Sequence, residues 1–145
     1  MNKRFMRFPE GKKKALTLSY DDCMEEDIDL IHRLEKYQMK ATFNLIPGWF
    51  AKEGTTYPEG ETYRLVTKKK AKEMYEHPLV EVANHGNEHK YMTSLTPLEM
   101  AEDTILCRKS LESLYGKIIR GMAYPYGWYD DTLIDVLKQC GITYC

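Results

Sequence analysis

The sequence predicts an α/β fold built on parallel strands, and three observations lead there. Strand-like and helix-like runs alternate along the chain. Their spacing suits strand, helix, strand units with right-handed crossovers, hence a β/α barrel or an open doubly wound sheet. In either arrangement the loops that follow the strands share one face, and in this chain those loops carry Asp21-Asp22, His85 with His89, and Tyr124-Pro125-Tyr126. A length of 145 residues, 43% hydrophobic, suits one domain with one core.

The elements follow in order. The first fourteen residues carry six Lys or Arg and read as a solvated arm. Ala15 to Tyr20 (ALTLSY) is a first buried strand, rich in β-favouring residues, that runs into Asp21, Asp22 and Cys23. Met24, Ile28, Ile31 and Leu34 recur at helical spacing in a charged segment ending near Tyr37, a one-sided surface helix. Lys40 to Ile46 (KATFNLI) is a second strand, ended by Pro47-Gly48. A Gly- and Pro-punctuated loop then runs from Trp49 to Leu65, long enough to suggest a purpose. Thr67 to Glu76 is a short helix despite three lysines opposing its dipole, and Leu79 to Ala83 is the third strand, which delivers His85.

Leu95 to Met100 is the clearest local signal. Thr96 as N-cap, Pro97 at the first helical position and Glu99 as the reciprocal acceptor form a capping box, with Leu95 and Met100 as its hydrophobic staple. The helix that starts there runs to about Tyr115, and Gly116 supplies a left-handed C-cap. Ile118 to Tyr124 is a fourth strand. Asp130 caps a last helix with Leu133, Val136 and Leu137 inward, and Ile142 to Cys145 begins a fifth strand.

Composition excludes several classes of partner. The formal net charge of −1 gives no global field for nucleic acid or an anionic membrane. No apolar run is long enough to span a bilayer, and residues 1–14 lack the apolar centre of a signal peptide, so the expected compartment is the cytoplasm. Cys23, Cys107, Cys140 and Cys145 have no metal-site spacing and read as free thiols, with Cys23 placed to act as a soft ligand behind the two carboxylates.

Two adjacent anions at a strand end repel unless a cation or a shared proton lies between them; the alternative is that one simply caps the next helix. His85-Gly86-Asn87-Glu88-His89 follows the third strand and favours the cation. One carboxylate and two imidazoles make a three-ligand site with an open position, where zinc brings bound water to a pKa of about 7. The second carboxylate is then free to accept a proton, which makes the site hydrolytic.

Thr17-Leu18-Ser19-Tyr20-Asp21-Asp22, His85-Gly86-Asn87-Glu88-His89 and Met122-Ala123-Tyr124-Pro125-Tyr126-Gly127, in that order, resemble the first three motifs of the polysaccharide deacetylases, carbohydrate esterase family four. The resemblance covers about Lys14 to Cys145. It implies a distorted seven- or eight-stranded β/α barrel, here reduced to about five strands. It also implies removal of acetyl groups from N- or O-acetylated carbohydrate with a divalent metal, zinc first, or cobalt or nickel. By position it makes Asp21 the catalytic base, Asp22, His85 and His89 the metal ligands, and Tyr126 the donor of a backbone N–H to the oxyanion. Tyr124 and Pro125 are substrate-binding positions, and so is Trp49 on a separate ground, because the long loop follows the second strand and overhangs the site: Trp49, Phe50, Tyr57 and Tyr63 there either stack on sugar rings or pack the loop onto the barrel.

The chain departs from the family pattern in places. Tyr20 and Cys23 stand where Phe and Gly are common, and Ala123 occupies the place of an Arg that orients the base. Arg120 falls on the other side of its strand and does not replace it. The motifs that include a general-acid histidine have no counterpart, and His32 and His77 do not stand in for it. The sequence therefore supports two expectations: a metal-dependent deacetylase, or a non-catalytic fragment that binds metal and sugar without turnover. Open edges at the first and last strands lead us to expect a homo-oligomer.

Overall fold

A computed structural model describes residues 8–145. Three strands, β1 (Ser19–Asp21), β2 (Ala41–Leu45) and β3 (Val80–Asn84), form a parallel sheet in the order β1-β2-β3. The register pairs Asp21 with Asn44 and Asn44 with Ala83, so the strand ends lie level. Four helices connect and follow them: α1 (Asp27–Tyr37), α2 (Lys68–Tyr75), α3 (Pro97–Tyr115) and α4 (Asp131–Gln139).

The sheet continues beyond β3 in two single parallel bridges, Asn84 with Met122 and Gly121 with Tyr144. These are the fourth and fifth strand-like segments of the sequence. They keep the expected order but not the expected length. Asn84 N–H donates to the Gly121 carbonyl at 2.9 Å and Ala123 N–H to the Asn84 carbonyl at 2.9 Å, while Met122 N–H reaches the Tyr144 carbonyl at 3.1 Å. The tight fit of the Tyr144 ring over Gly121, where a Cβ would lie 2.4 Å from ring atoms, explains the glycine there.

The first strand is shorter than its composition suggests. Only Ser19–Asp21 pair as a strand, with the Leu18 carbonyl accepting from Thr42 N–H at 2.9 Å, and Leu16 is exposed. Strand pairing needs a neighbour, and β1 has one on one side alone among the described residues. The following helix also starts later than Met24. Asp22 and Cys23 take left-handed φ of 75° and 50°, Met24 bridges Leu65, and α1 begins at Asp27. Neither Asp21 nor Asp22 caps it; the N-cap position is Glu26, with no side-chain cap bond.

Helix ends agree with their chemistry. Thr96 and Glu99 form the reciprocal capping box and Gly116 takes φ 65°. Asp130 accepts from Leu133 N–H at 2.8 Å to start α4. Thr67 caps α2, and acidic side chains sit at its lysine-rich start: Glu53 accepts from the Lys69 backbone N–H at 3.0 Å, and Glu25 pairs with Lys70 Nζ at 2.8 Å.

Ala41, Phe43 and Leu45 of β2 and Val80 of β3 face the helices and join Ile31, Leu34, Ala71, Met74, Tyr75, Cys107, Leu111 and Tyr115 in the main core. A second cluster of Met92, Met100, Met122, Leu133, Leu137 and Ile142 seats α4. Alternation along the strands puts Ser19, Asp21, Thr42, Asn44 and Glu81 on the sheet's other side. That side is polar. Thr42 Oγ1 donates to Glu81 at 2.7 Å, and Tyr144 donates to the same carboxylate. Arg120 turns away from the strand ends and donates to the Gly141 carbonyl at 3.0 Å. No helix among the described residues is long and apolar enough to cross a membrane.

Candidate metal centre and active site

The three strand-end loops meet above β1, β2 and β3. Asp22, His85 and His89 each offer a ligand atom, and these atoms lie within 4.8 Å of one another. His85 Nε2 is 3.7 Å from Asp22 Oδ1, His89 Nε2 is 3.8 Å from the same oxygen, and the two Nε2 atoms are 3.1 Å apart. Asp21 completes the group, its Oδ2 3.8 Å from His85 Nε2.

Local structure builds each position. His85 is buried, 3% exposed, and its Nδ1 donates to the Ala123 carbonyl at 2.9 Å, which leaves the Nε2 lone pair facing the cluster. Thus the third motif serves His85 through its backbone, for which an alanine suffices. His89 takes φ 52°, and Gly86 φ 76°, so the chain doubles back between the two imidazoles. Gly86 has no room for a side chain: a Cβ would lie 2.8 Å from Asp103 Oδ2. Gly48 is equally required, because its Cβ would meet the Asn87 carbonyl oxygen at 2.2 Å, the atom its own N–H bonds at 3.0 Å.

The loop is held from below by residues that periodicity does not single out. Asp103 of α3, 4% exposed, accepts from Asn87 N–H at 2.8 Å. Asn84 accepts from Gly86 N–H at 2.8 Å and donates to the Thr104 carbonyl at 2.9 Å. Burial raises the Asp103 carboxyl above its ordinary range, opposed by the Asn87 N–H. The available signal for Asp103 was its place on the apolar stripe of Met100, Thr104, Cys107 and Leu111, where an unpaired acid would be costly. Asn44 is likewise an unusual residue for a strand centre.

The electrostatics suit a cation. Burial and the neighbouring His85 push the His89 pKa down, the two aspartates opposing, so the ring stays neutral near pH 7. Asp22 Oδ1 and His89 Nδ1 are the buried side-chain polar atoms without a hydrogen-bond partner among the described residues. A carboxylate oxygen without a donor and two imidazole nitrogens 3.1 Å apart form a donor set with hard and borderline character that fits a divalent ion. Cys23 is not part of it. Its thiol is fully buried, directed at the Ile46 carbonyl at 3.8 Å, and burial pushes its pKa up to about 12, so it is no thiolate ligand.

The aromatic residues divide. The Trp49 ring centroid lies 5.0 Å from that of His89 and 6.5 Å from that of Tyr63, and Tyr126 lies 4.5 Å from His89 and stacks on Tyr91 at 3.8 Å. These four form a rim. Tyr126 has φ 60°, an unusual backbone at the turn that would present its N–H. Pro125 is buried beneath Gly86, whereas Tyr124 stacks on Tyr129 and packs with the α4 cluster, away from the ligands. Phe50 packs on the main core and Tyr57 donates to the Leu65 carbonyl at 2.8 Å, so both fasten the long loop. His32 is exposed on α1, and His77 accepts from Leu79 N–H ahead of β3; neither reaches the site.

The family model described as polysaccharide deacetylase matches residues 8–145. The chain belongs to the polysaccharide deacetylase family. Among curated members, a poly-β-1,6-N-acetyl-D-glucosamine N-deacetylase of Staphylococcus epidermidis is 31% identical over 155 aligned positions, 98% of this chain and 52% of that protein. A Streptococcus pyogenes deacetylase solved in complex with acetate superposes with a TM-score of 0.72 at 25% identity, over 90% of this chain and 54% of that one. A polysaccharide deacetylase from Bacillus cereus gives a TM-score of 0.75 at 21% identity, over 92% and 40% of the two chains. The chain therefore shares the deacetylase fold and spans about half the length of the curated relatives it matches.

Proposed function

We propose that this chain carries the metal-holding and base-bearing part of a hydrolase that removes acetyl groups from an N-acetylated amino-sugar polymer. The observation that supports it most is the convergence of Asp22, His85 and His89 beside Asp21. Relatives named for N-deacetylation of poly-β-1,6-N-acetyl-D-glucosamine support an amide substrate on a hexosamine chain.

Asp22, His85 and His89 would hold a divalent cation, zinc first, with cobalt or nickel as alternatives. Such an ion supplies Lewis-acid polarisation of the acetyl carbonyl and a lowered pKa for the attacking water. Asp21 is the base. Its Oδ2 takes the proton from water as the water oxygen bonds to the acetyl carbon, and the carbonyl electron pair moves to oxygen. The Tyr126 backbone N–H donates to that oxyanion. Collapse breaks the C–N bond, releasing acetate and an amine that must gain a proton. Trp49, Tyr63, Tyr91 and Tyr126 form an apolar rim on which sugar rings would lie.

A second reading rests on the last step. Neither His32 nor His77 stands near enough to protonate the amine. In this reading the chain binds metal and sugar without turnover.

Metal content by elemental mass spectrometry tests the shared premise. About one zinc per chain in the unmodified protein, lost in His85→Ala, is expected for a three-ligand site. No metal in either protein after soaking sinks both readings. Acetate release from β-1,6-linked N-acetylglucosamine oligomers then separates them: turnover that Asp21→Asn abolishes while metal stays bound supports the enzyme, and bound metal with no turnover supports the binding protein.

A further inference from the structure

Asn44 stands directly across from Asp21. The parallel register of β1 and β2 makes the two residues Cα partners, and both side chains point to the polar side of the sheet. Asn44 is 2% exposed. Its Nδ2 lies 2.7 Å from Asp21 Oδ1, 2.8 Å from Ser19 Oγ and 3.3 Å from the Tyr20 carbonyl. A carbonyl and an ionised carboxylate only accept, so the atom facing them is the amide nitrogen, and the orientation of the amide follows.

This contact divides the work of the carboxylate. Oδ1 is tied to a buried neutral donor, and Oδ2 is the oxygen turned toward His85. Asp21 is otherwise loosely held: its side chain is 45% exposed, and no Lys or Arg pairs with it among the described residues. Without the amide, the carboxylate could rotate about its terminal torsion, which has broad wells, or swing into solvent.

We infer that Asn44 is the positioning residue for Asp21, fixing which carboxylate oxygen faces the reacting centre. The inference rests on Asp21 being the base. It concerns a buried amide on β2 rather than any group that touches substrate or metal. Ser19 acts one step further out: its hydroxyl oxygen accepts from the amide and helps to keep it turned.

Two variants and three measurements test this. Asn44→Leu removes the donor while keeping the branched shape of the side chain, and Ser19→Ala leaves the donor but removes one of its acceptors. Zinc titration should give unchanged stoichiometry in both, since Asp22, His85 and His89 are untouched. Crystal structures of the zinc-loaded proteins should show Asp21 leaving its present orientation in Asn44→Leu and keeping it in Ser19→Ala. On β-1,6-linked N-acetylglucosamine oligomers, kcat should fall about tenfold to hundredfold in Asn44→Leu with KM little changed, the signature of lost positioning rather than lost binding. Asn44→Leu should add nothing to Asp21→Asn. An unmoved Asp21 in the Asn44→Leu crystal overturns the inference, as does undiminished kcat in a protein that Asp21→Asn inactivates. If the unmodified protein releases no acetate, the base reading fails on its own, and the crystal orientation of Asp21 still decides what Asn44 holds. Should Asn44→Leu fold poorly, Asn44→Ser provides the same crystal comparison.

Discussion

His85 depends on two backbones at once: β3 carries it, and the Ala123 carbonyl fixes its ring at 2.9 Å. The residues that could bind metal or take a proton were legible in the sequence, because only a few side-chain types do that chemistry and all of them follow strand ends. The residues that hold these groups were not. Asp103, Asn84 and Asn44 act across the sheet or from a helix below, and no local spacing announces such a contact. Asp103 makes the point testable. Asp103→Ala removes the acceptor under Asn87 and Gly86 and should lower zinc affinity by about 10- to 100-fold. It should also cost about 1–3 kcal/mol of stability through the unpaired Asn87 N–H. Calorimetric zinc titration and denaturant unfolding measure the two effects; an unchanged zinc affinity would show that the loop holds its shape without α3.

At the scale of elements, helices were read better than strands. The ends of α3 and α4 carry their own cap chemistry in Thr96, Glu99, Gly116 and Asp130, which act within one turn. Strand length depends on a neighbour instead. Ala15 to Tyr20 has the composition of a strand, yet pairing is confined to Ser19–Asp21, and 118–124 and 142–145 reduce to single bridges. The later elements are joined by one small network. Glu112 near the end of α3 accepts from Arg108 at 2.8 Å and from Ile119 N–H at 3.0 Å, and Arg108 reaches the Cys140 carbonyl at 2.6 Å. The Arg108 bond chiefly holds the Glu112 carboxyl below its ordinary 4.5, with burial opposing and the Ile119 N–H assisting. A depressed carboxylate pKa contributes stability that is present above the unfolded value and lost as pH falls through the folded one. Glu112→Gln should therefore be less stable than the unmodified protein at neutral pH. The gap should close as the pH falls below 4.5. Urea midpoints across that range test it, and a gap independent of pH would remove the charge from the account.

Over the whole molecule, the strand ends hold the candidate site, and the opposite end carries an open cleft of about 630 Å³ beside Leu18, Thr42, Glu81 and Arg120. We expect β1, open on one side, and the exposed Leu16 and Ile118 to drive self-association. Light scattering over a concentration series tests this; a monomer at every concentration would show that the polar row of Ser19, Thr42 and Glu81 is enough to keep copies apart. The left-handed residues have a different consequence. Asp22, Cys23, Gly86, His89, Tyr126 and Gly127 all have positive φ, and four of them carry side chains that disfavour it. Among the described residues only Glu10 and Gln38 are other non-glycine residues with positive φ, so most of this backbone lies in the loops around the site. We expect those turns to open first when no ion holds Asp22, His85 and His89 together; limited proteolysis of metal-free and zinc-loaded protein tests this by the position of the earliest cut. An ion bound there would then act as a clasp as well as a reagent, and the lifetime of the protein in a protease-rich setting would follow its supply of metal.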